Sequence, residues 1–115
     1  MTDTELPIIQ KTYDLIVWYV PRINKFPRDF RFSMGDRVQD TLYSLLEGLI
    51  RARYTRERLG LLEELNSTLD ILRYQTRLCR QFDLIDERRY EFVSSRIHEI
   101  GTDLGGWLRT QRTRT

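Results

Sequence analysis

Residues 62–79 read LEELNSTLDILRYQTRLC, and their apolar positions decide the fold. Leu62, Leu65, Leu69, Leu72, Thr76 and Cys79 follow one another in steps of 3, 4, 3, 4 and 3. Alternating threes and fours keep side chains on one face of an α-helix, and such a face forms the seam of a helical bundle. A strand would require alternation at every second residue, which no stretch of the chain shows convincingly.

The same period recurs on both sides of this segment. Downstream, Asp86 is a good N-cap, and Tyr90, Val93, Ile97, Ile100, Leu104 and Trp107 repeat the stripe. Upstream, Ser33 followed by Asp36 has the form of a capping box, after which come Met34, Val38, Leu42, Leu45, Leu46, Leu49 and Ile50. Nearer the start, Leu6, Ile9, Tyr13, Ile16, Val17 and Val20 share a stripe, with Leu15, Trp18 and Tyr19 partly off it. Pro21 should kink this helix or end it near Val20; Ile23 and Phe26 continue the period, so a kinked helix is expected. Thr55 is the expected N-cap of the third helix, and Lys25–Phe32 (KFPRDFRF) the first loop. The expectation is an all-α, antiparallel up-down-up-down four-helix bundle, one domain over 1–115. Its helices fall roughly at 6–25, 33–54, 56–81 and 86–110, with a basic tail at 109–115.

Composition narrows the class. A chain of 115 residues supports one core. With 40% hydrophobic residues it is too apolar for a disordered tail. Cys79, the one cysteine, has no partner for an internal disulfide. No apolar run approaches the roughly 20 residues of a membrane span, and MTDTELPIIQK lacks the basic start of a leader. The expectation is a cytoplasmic protein with no membrane partner.

Seventeen of the 19 basic residues are arginine, against 17 acidic residues and a net charge of +2. Arginine's planar fork suits phosphate and carboxylate, although a GC-rich genome or heat adaptation would give the same bias. The cations cluster. Arg22, Lys25, Arg28 and Arg31 have only Asp29 among them; Arg51, Arg53, Arg56 and Arg58 have only Glu57; Arg109, Arg112 and Arg114 have none. Arg73, Arg77 and Arg80 are spaced i, i+4, i+7 and form one stripe beside the core seam. That stripe suits an anionic partner, or salt bridges to Glu91 and Glu99 of the last helix. The first-loop arginines suit either phosphate or the capping of helix ends.

Enzymatic constellations fail on residue counts. A di-iron bundle needs two Glu-x-x-His motifs, and His98 is the only histidine. Paired His and Cys zinc ligands fail likewise, and Cys79 sits on the core stripe as a structural residue. No catalytic residue, cofactor or metal is expected. Gly101, Gly105 and Gly106 interrupt the last helix. Fraying would explain them, as would close helix contact at Gly101 and Gly105, anchored by Trp107. Trp18 fits bundle core or a subunit interface.

Several blocks carry a family resemblance. They are Tyr13-Asp14-Leu15-Ile16-Val17-Trp18 with Pro21-Arg22 and Lys25-Phe26-Pro27-Arg28, then Arg31-Phe32-Ser33-Met34-Gly35-Asp36-Arg37, Leu72-Arg73-Tyr74-Gln75-Thr76-Arg77-Leu78, and Ile100-Gly101-Thr102-Asp103-Leu104-Gly105-Gly106-Trp107-Leu108. Over roughly residues 7–109 the chain resembles the accessory variability determinant (Avd) proteins of diversity-generating retroelements, within the wider S23-type four-helix-bundle group. The resemblance implies a non-enzymatic accessory subunit, pentameric and barrel-like, that associates with the element's reverse transcriptase and with template RNA or cDNA. A net charge of +2 leaves nucleic-acid affinity to local patches. The contact is expected first at Arg73, Arg77 and Arg80, then at Arg28, Arg31 and Arg37. Trp18, Gly101, Gly105 and Trp107 are expected in packing or oligomer contacts. The rival readings are a structural bundle of the wider group with no nucleic-acid role, and a small RNA-processing enzyme.

Overall fold

The computed structural model describes residues 5–114, apart from the side chains of Glu5 and Leu6. Four long helices account for most of it: α1 (Glu5–Ile23), α2 (Asp36–Tyr54), α3 (Leu59–Gln81) and α4 (Glu87–Thr113). No strand occurs among the described residues. Each helix packs on the next, and α4 packs back on α1. The cross-section is therefore a square with α1 opposite α3, within a rod of 46 × 23 × 19 Å.

The seam of α3 is buried as its spacing requires: Leu62, Leu65, Leu69, Leu72, Thr76 and Cys79 all point inward. On α4, Val93, Ile97, Ile100, Leu104 and Trp107 join them, with Tyr90 half-buried. The Asp86 carboxylate accepts the Arg89 backbone N–H at 2.8 Å, so α4 starts on the expected cap. Instead of stopping near residue 110, the helix continues to Thr113 through all three glycines, and the expected basic tail is mostly its last turn.

On α1 the expected face is the wrong one. Ile8, Thr12, Leu15, Tyr19 and Ile23 are buried, whereas Tyr13 and Val17 are 54% and 58% exposed. Ile9, Ile16 and Val20 lie between, half-buried at the edge of the core. Leu6, assigned to the same stripe, has its side chain outside the described part. Two features hid the true face. Thr12 is polar by type but donates its hydroxyl to the Ile8 carbonyl at 2.8 Å, and Tyr19 finds a hydroxyl partner inside the core. On α2, Ile50 is likewise 41% exposed, one residue round from buried Leu49.

Two helix starts also differ from expectation. The chain turns helical at Arg28, not Ser33: a short turn (Arg28–Phe30) and a wide π turn (Arg31–Gly35) lead directly into α2. Pro27, extended at φ −51° and ψ 147°, sets that start, and its carbonyl accepts from the Phe30 and Arg31 N–H groups. Ser33 therefore caps nothing, and its hydroxyl donates back to the Asp29 carbonyl at 2.9 Å. Thr55 closes α2 instead of opening α3, with its hydroxyl donating to the Arg51 carbonyl at 2.7 Å.

The α3–α4 turn has a defined chemistry. Asp83 adopts φ 60°, which lets the Leu84 N–H reach the Cys79 carbonyl (2.8 Å) and the Asp83 N–H reach the Arg80 carbonyl (3.1 Å). These are the paired 6→1 and 5→2 bonds that satisfy the last carbonyls of a helix.

Candidate functional site

The α3 arginine stripe does not act as one row. Arg73 and Arg77 line a groove of about 230 Å³ between α3 and α4, with Tyr90 and His98 on its far wall. Arg73 lies 3.5 Å from Asp70 on its own helix and covers the backbone of Gly101. A Cβ on Gly101 would collide with the Arg73 guanidinium, so the close contact expected there is made by a side chain. Arg77 is exposed and stacks on Tyr74, 5.3 Å from its ring centroid. Arg80 turns to the end of the bundle, pairing with Asp83 (3.2 Å) and with Glu87 of α4 (3.1 Å). Of the salt bridges considered across α3 and α4, this last is the kind formed; Glu99 pairs with Arg96 instead.

Arg80 there borders a cavity of about 510 Å³ whose walls also include Arg22, Lys25, Arg89, Asp83, Asp86 and Glu87. Arg89 pairs with Asp86 (2.8 Å), so acids neutralise much of this cluster. The Arg89 backbone bond and the nearby arginine charges hold the Asp86 carboxyl below its usual range.

The second expected group is scattered. Arg28 and Arg37 are exposed, with no ion pair among the described residues, on opposite ends of the π turn. Arg31 folds over Phe32 (4.7 Å) and reaches the Asn24 carbonyl at 3.4 Å, stapling the turn after α1. Trp107 is buried under Arg58, and nothing beyond the Arg109 side chain of its own helix approaches the place of a Cβ on Gly105.

Apolar exposure marks the outer face of α3 more strongly than charge does. Ile71, Tyr74, Leu78 and Phe82 are 42–58% exposed and form one line on the side away from the core. Tyr74 joins this line to the Arg73–Arg77 groove through the Arg77 guanidinium stacked on its ring.

The chain matches the bAvd-like family over residues 6–111. It belongs to that family. None of the curated proteins compared with it matches. The bAvd-like assignment places the chain with an accessory, non-catalytic type of protein associated with diversity-generating retroelements. Among its described residues no helix is long and apolar enough to cross a membrane.

In this bAvd-like chain, sequence reasoning missed Arg22, Phe92 and Arg96 as a group with Trp18. The Arg22 guanidinium sits 4.3 Å from the Trp18 ring centroid, Trp18 and Phe92 have centroids 5.1 Å apart at 38°, and Arg96 lies 4.8 Å from Phe92. A signal was present: Trp18-x-x-x-Arg22 and Phe92-x-x-x-Arg96 repeat an aromatic–arginine pair at one helical turn.

Proposed function

We propose that this protein is a non-enzymatic accessory subunit of a diversity-generating retroelement. It binds the element's reverse transcriptase and its template RNA or cDNA in the cytoplasm, supports mutagenic retrohoming, and works as a closed homo-oligomer. The observation that carries the reading is the outer face of α3. Ile71, Tyr74, Leu78 and Phe82 are exposed in a line, and Arg77, which lines the groove with Arg73, stacks on Tyr74. Aromatic, aliphatic and arginine side chains grouped in this way are the composition of protein-binding hot spots. Arginines at the edge add contacts to phosphate that do not read sequence.

Self-association follows from a second apolar surface. Tyr13 and Val17 of α1, with Tyr43 and Ile50 of α2, are exposed on a different side of the bundle. Joined head to tail, this surface meets the apolar line of α3 on the next subunit and leaves the Arg73–Arg77 groove free for the reverse transcriptase and nucleic acid, and a head-to-tail contact that closes makes a ring. Five subunits is the number the Avd resemblance implies. In such a ring each arginine edge is repeated by symmetry, which offsets the small charge of one chain.

The test is co-purification with the reverse transcriptase encoded nearest to it, at about 50 and about 200 mM salt, with and without template RNA. A complex stable at both salts is expected. The variant Arg73→Glu/Arg77→Glu/Arg80→Glu should keep its helical content and lose the partner. A folded variant that still binds would overturn the arginine assignment. No complex at either salt, even with RNA, would leave a self-assembling structural bundle as the better description.

A further inference from the structure

The groove between α1 and α4 holds a ladder of four side chains: Arg22, Trp18, Phe92 and Arg96, each in face or edge contact with the next. Packing alone does not call for it. Phe92 is 39% exposed and Trp18 half-buried, so their rings form a wall open to solvent. A cleft of about 350 Å³ opens on one side of that wall, lined by the two rings, Arg22, Arg88, Arg89 and Asp86. A second, of about 180 Å³, opens on the side of Arg96 and is bounded by the same two rings.

Charge within the larger cleft is one-sided. Three arginines face one aspartate, and that aspartate is already engaged by the backbone and guanidinium of Arg89. Arg22 is held at the wall of this cleft. Its Nη1 donates to the Trp18 carbonyl at 2.7 Å, while its Nε is buried with no acceptor among the described residues.

Aromatic faces flanked by arginine forks, with cationic excess one side chain away, match a planar base followed by a phosphate. We infer that the α1/α4 groove takes an unpaired nucleobase and its phosphate from a single strand of RNA or cDNA. This rests on the nucleic-acid part of the reading above and assigns it to a different surface from the α3 edge. In a duplex the base faces are already stacked on one another and only phosphates would reach the groove. An unpaired base stacks on an aromatic ring or on the outer plane of a guanidinium, and every base has such a face, so the site reads strandedness and not sequence.

Trp18 is its own reporter, because Trp107, the only other tryptophan, is buried. The full chain is titrated with a labelled 12-nucleotide oligoadenylate, as RNA and as DNA, and with a duplex of the same length. Anisotropy reads binding and tryptophan emission reads stacking. Both single strands should bind, quench Trp18 and outcompete the duplex. Phe92→Leu, which keeps an apolar neighbour for Trp18, should weaken single-strand binding about tenfold. If that variant does not fold, Arg96→Gln, at the exposed end of the ladder, should weaken it in the same direction.

Binding with no change in Trp18 emission and no effect of Phe92→Leu would overturn the groove while leaving nucleic-acid binding in place. Equal affinity for duplex and single strand would overturn the unpaired base. Loss of reverse transcriptase capture by Phe92→Leu, with strand binding intact, would make the ladder a protein contact and overturn it as well. Absence of binding to any oligonucleotide would remove both the groove and the nucleic-acid reading.

Discussion

The Tyr19 hydroxyl on α1 lies 3.0 Å from the Thr76 hydroxyl on α3, a hydrogen bond across the diagonal of the bundle with both residues essentially unexposed. Helices on opposite corners share few contacts, so this bond fixes the rotation of α1 about its own axis. Removing the Tyr19 hydroxyl takes this partner from buried Thr76, and removing Thr76 leaves Tyr19 only the weak Cys79 sulfur 4.0 Å away, at a cost of about 1–3 kcal/mol each, whereas removing both is nearly neutral. Tyr19→Phe and Thr76→Val should therefore each destabilise, and the double variant should be more stable than the sum of the two predicts. A denaturant double-mutant cycle with a coupling of about 1 kcal/mol is the expected result. Strict additivity would mean that the two hydroxyls do not depend on each other.

Below this pair lies Cys79, 4.0 Å from the Tyr19 hydroxyl. Burial pushes its thiol from an ordinary value of 9.0 up to about 11, with the Tyr19 hydrogen bond a smaller opposing effect. Burial, and then the nearness of Cys79, raise Tyr19 as well. Both groups hold their protons in the folded state at a pH where the unfolded chain has released them. The Cys79 contribution is complete below its unfolded value near 9 and is lost as pH climbs toward 11, and the Tyr19 contribution begins to fall only above its ordinary value of 10.0. Unfolding free energy should fall across that window, and Cys79→Ala should flatten the fall. An unchanged slope in the variant would show that other groups carry it.

How much of this was readable without coordinates depends on where each helix hides its apolar residues. On α3 and α4 the 3–4 spacing picks out most of the buried set, although Tyr90 is only half-buried, Leu108 is buried outside the stripe, and α3 carries a second apolar line at Ile71, Tyr74, Leu78 and Phe82. On α1 apolar side chains cover two faces, and the buried one contains Thr12 while Tyr13 and Val17 face solvent; periodicity alone ranks these the wrong way. Ser33 reads as a cap only if the preceding segment is irregular, and the extended Pro27 makes it helical instead. The functional surfaces were less legible still. Arg73, Arg77 and Arg80 share a helical face, yet Asp83 and Glu87 draw Arg80 away from the other two. The Trp18–Phe92 contact joins residues 74 positions apart, and no spacing rule within one helix foresees it.

Two glycines of similar appearance should respond in opposite ways. A Cβ on Gly48 would collide with Leu65, a core residue with no room to retreat, so Gly48→Ala should destabilise by about 1–3 kcal/mol. On Gly101 the obstacle is the end of the Arg73 side chain, which can swing to solvent. Helix propensity then dominates, and Gly101→Ala should stabilise by up to about 1 kcal/mol. Thermal or denaturant unfolding of the two variants separates these outcomes. Destabilisation by Gly101→Ala would show that Arg73 is held in place more firmly than its partial exposure implies.

The proposed head-to-tail ring makes a demanding prediction about mixtures. Each contact would join the Tyr13–Val17 face of one subunit to the Ile71–Leu78 face of the next. Tyr13→Glu/Val17→Glu spoils the first face in every copy, and Ile71→Glu/Leu78→Glu spoils the second. Either variant alone should therefore be a monomer of 13.9 kDa by light scattering. Mixed together, the first variant still offers an intact α3 face and the second an intact α1 face. One sound contact forms between them and cannot propagate, because the two outer faces of the pair are both spoiled. The mixture should thus stop at a heterodimer. If each face instead paired with its own copy by two-fold symmetry, each variant alone would remain a dimer through its unaltered face, and mixing would change nothing. Charges placed on exposed positions avoid the core, so loss of assembly in a variant of unchanged helical content reports the contact itself.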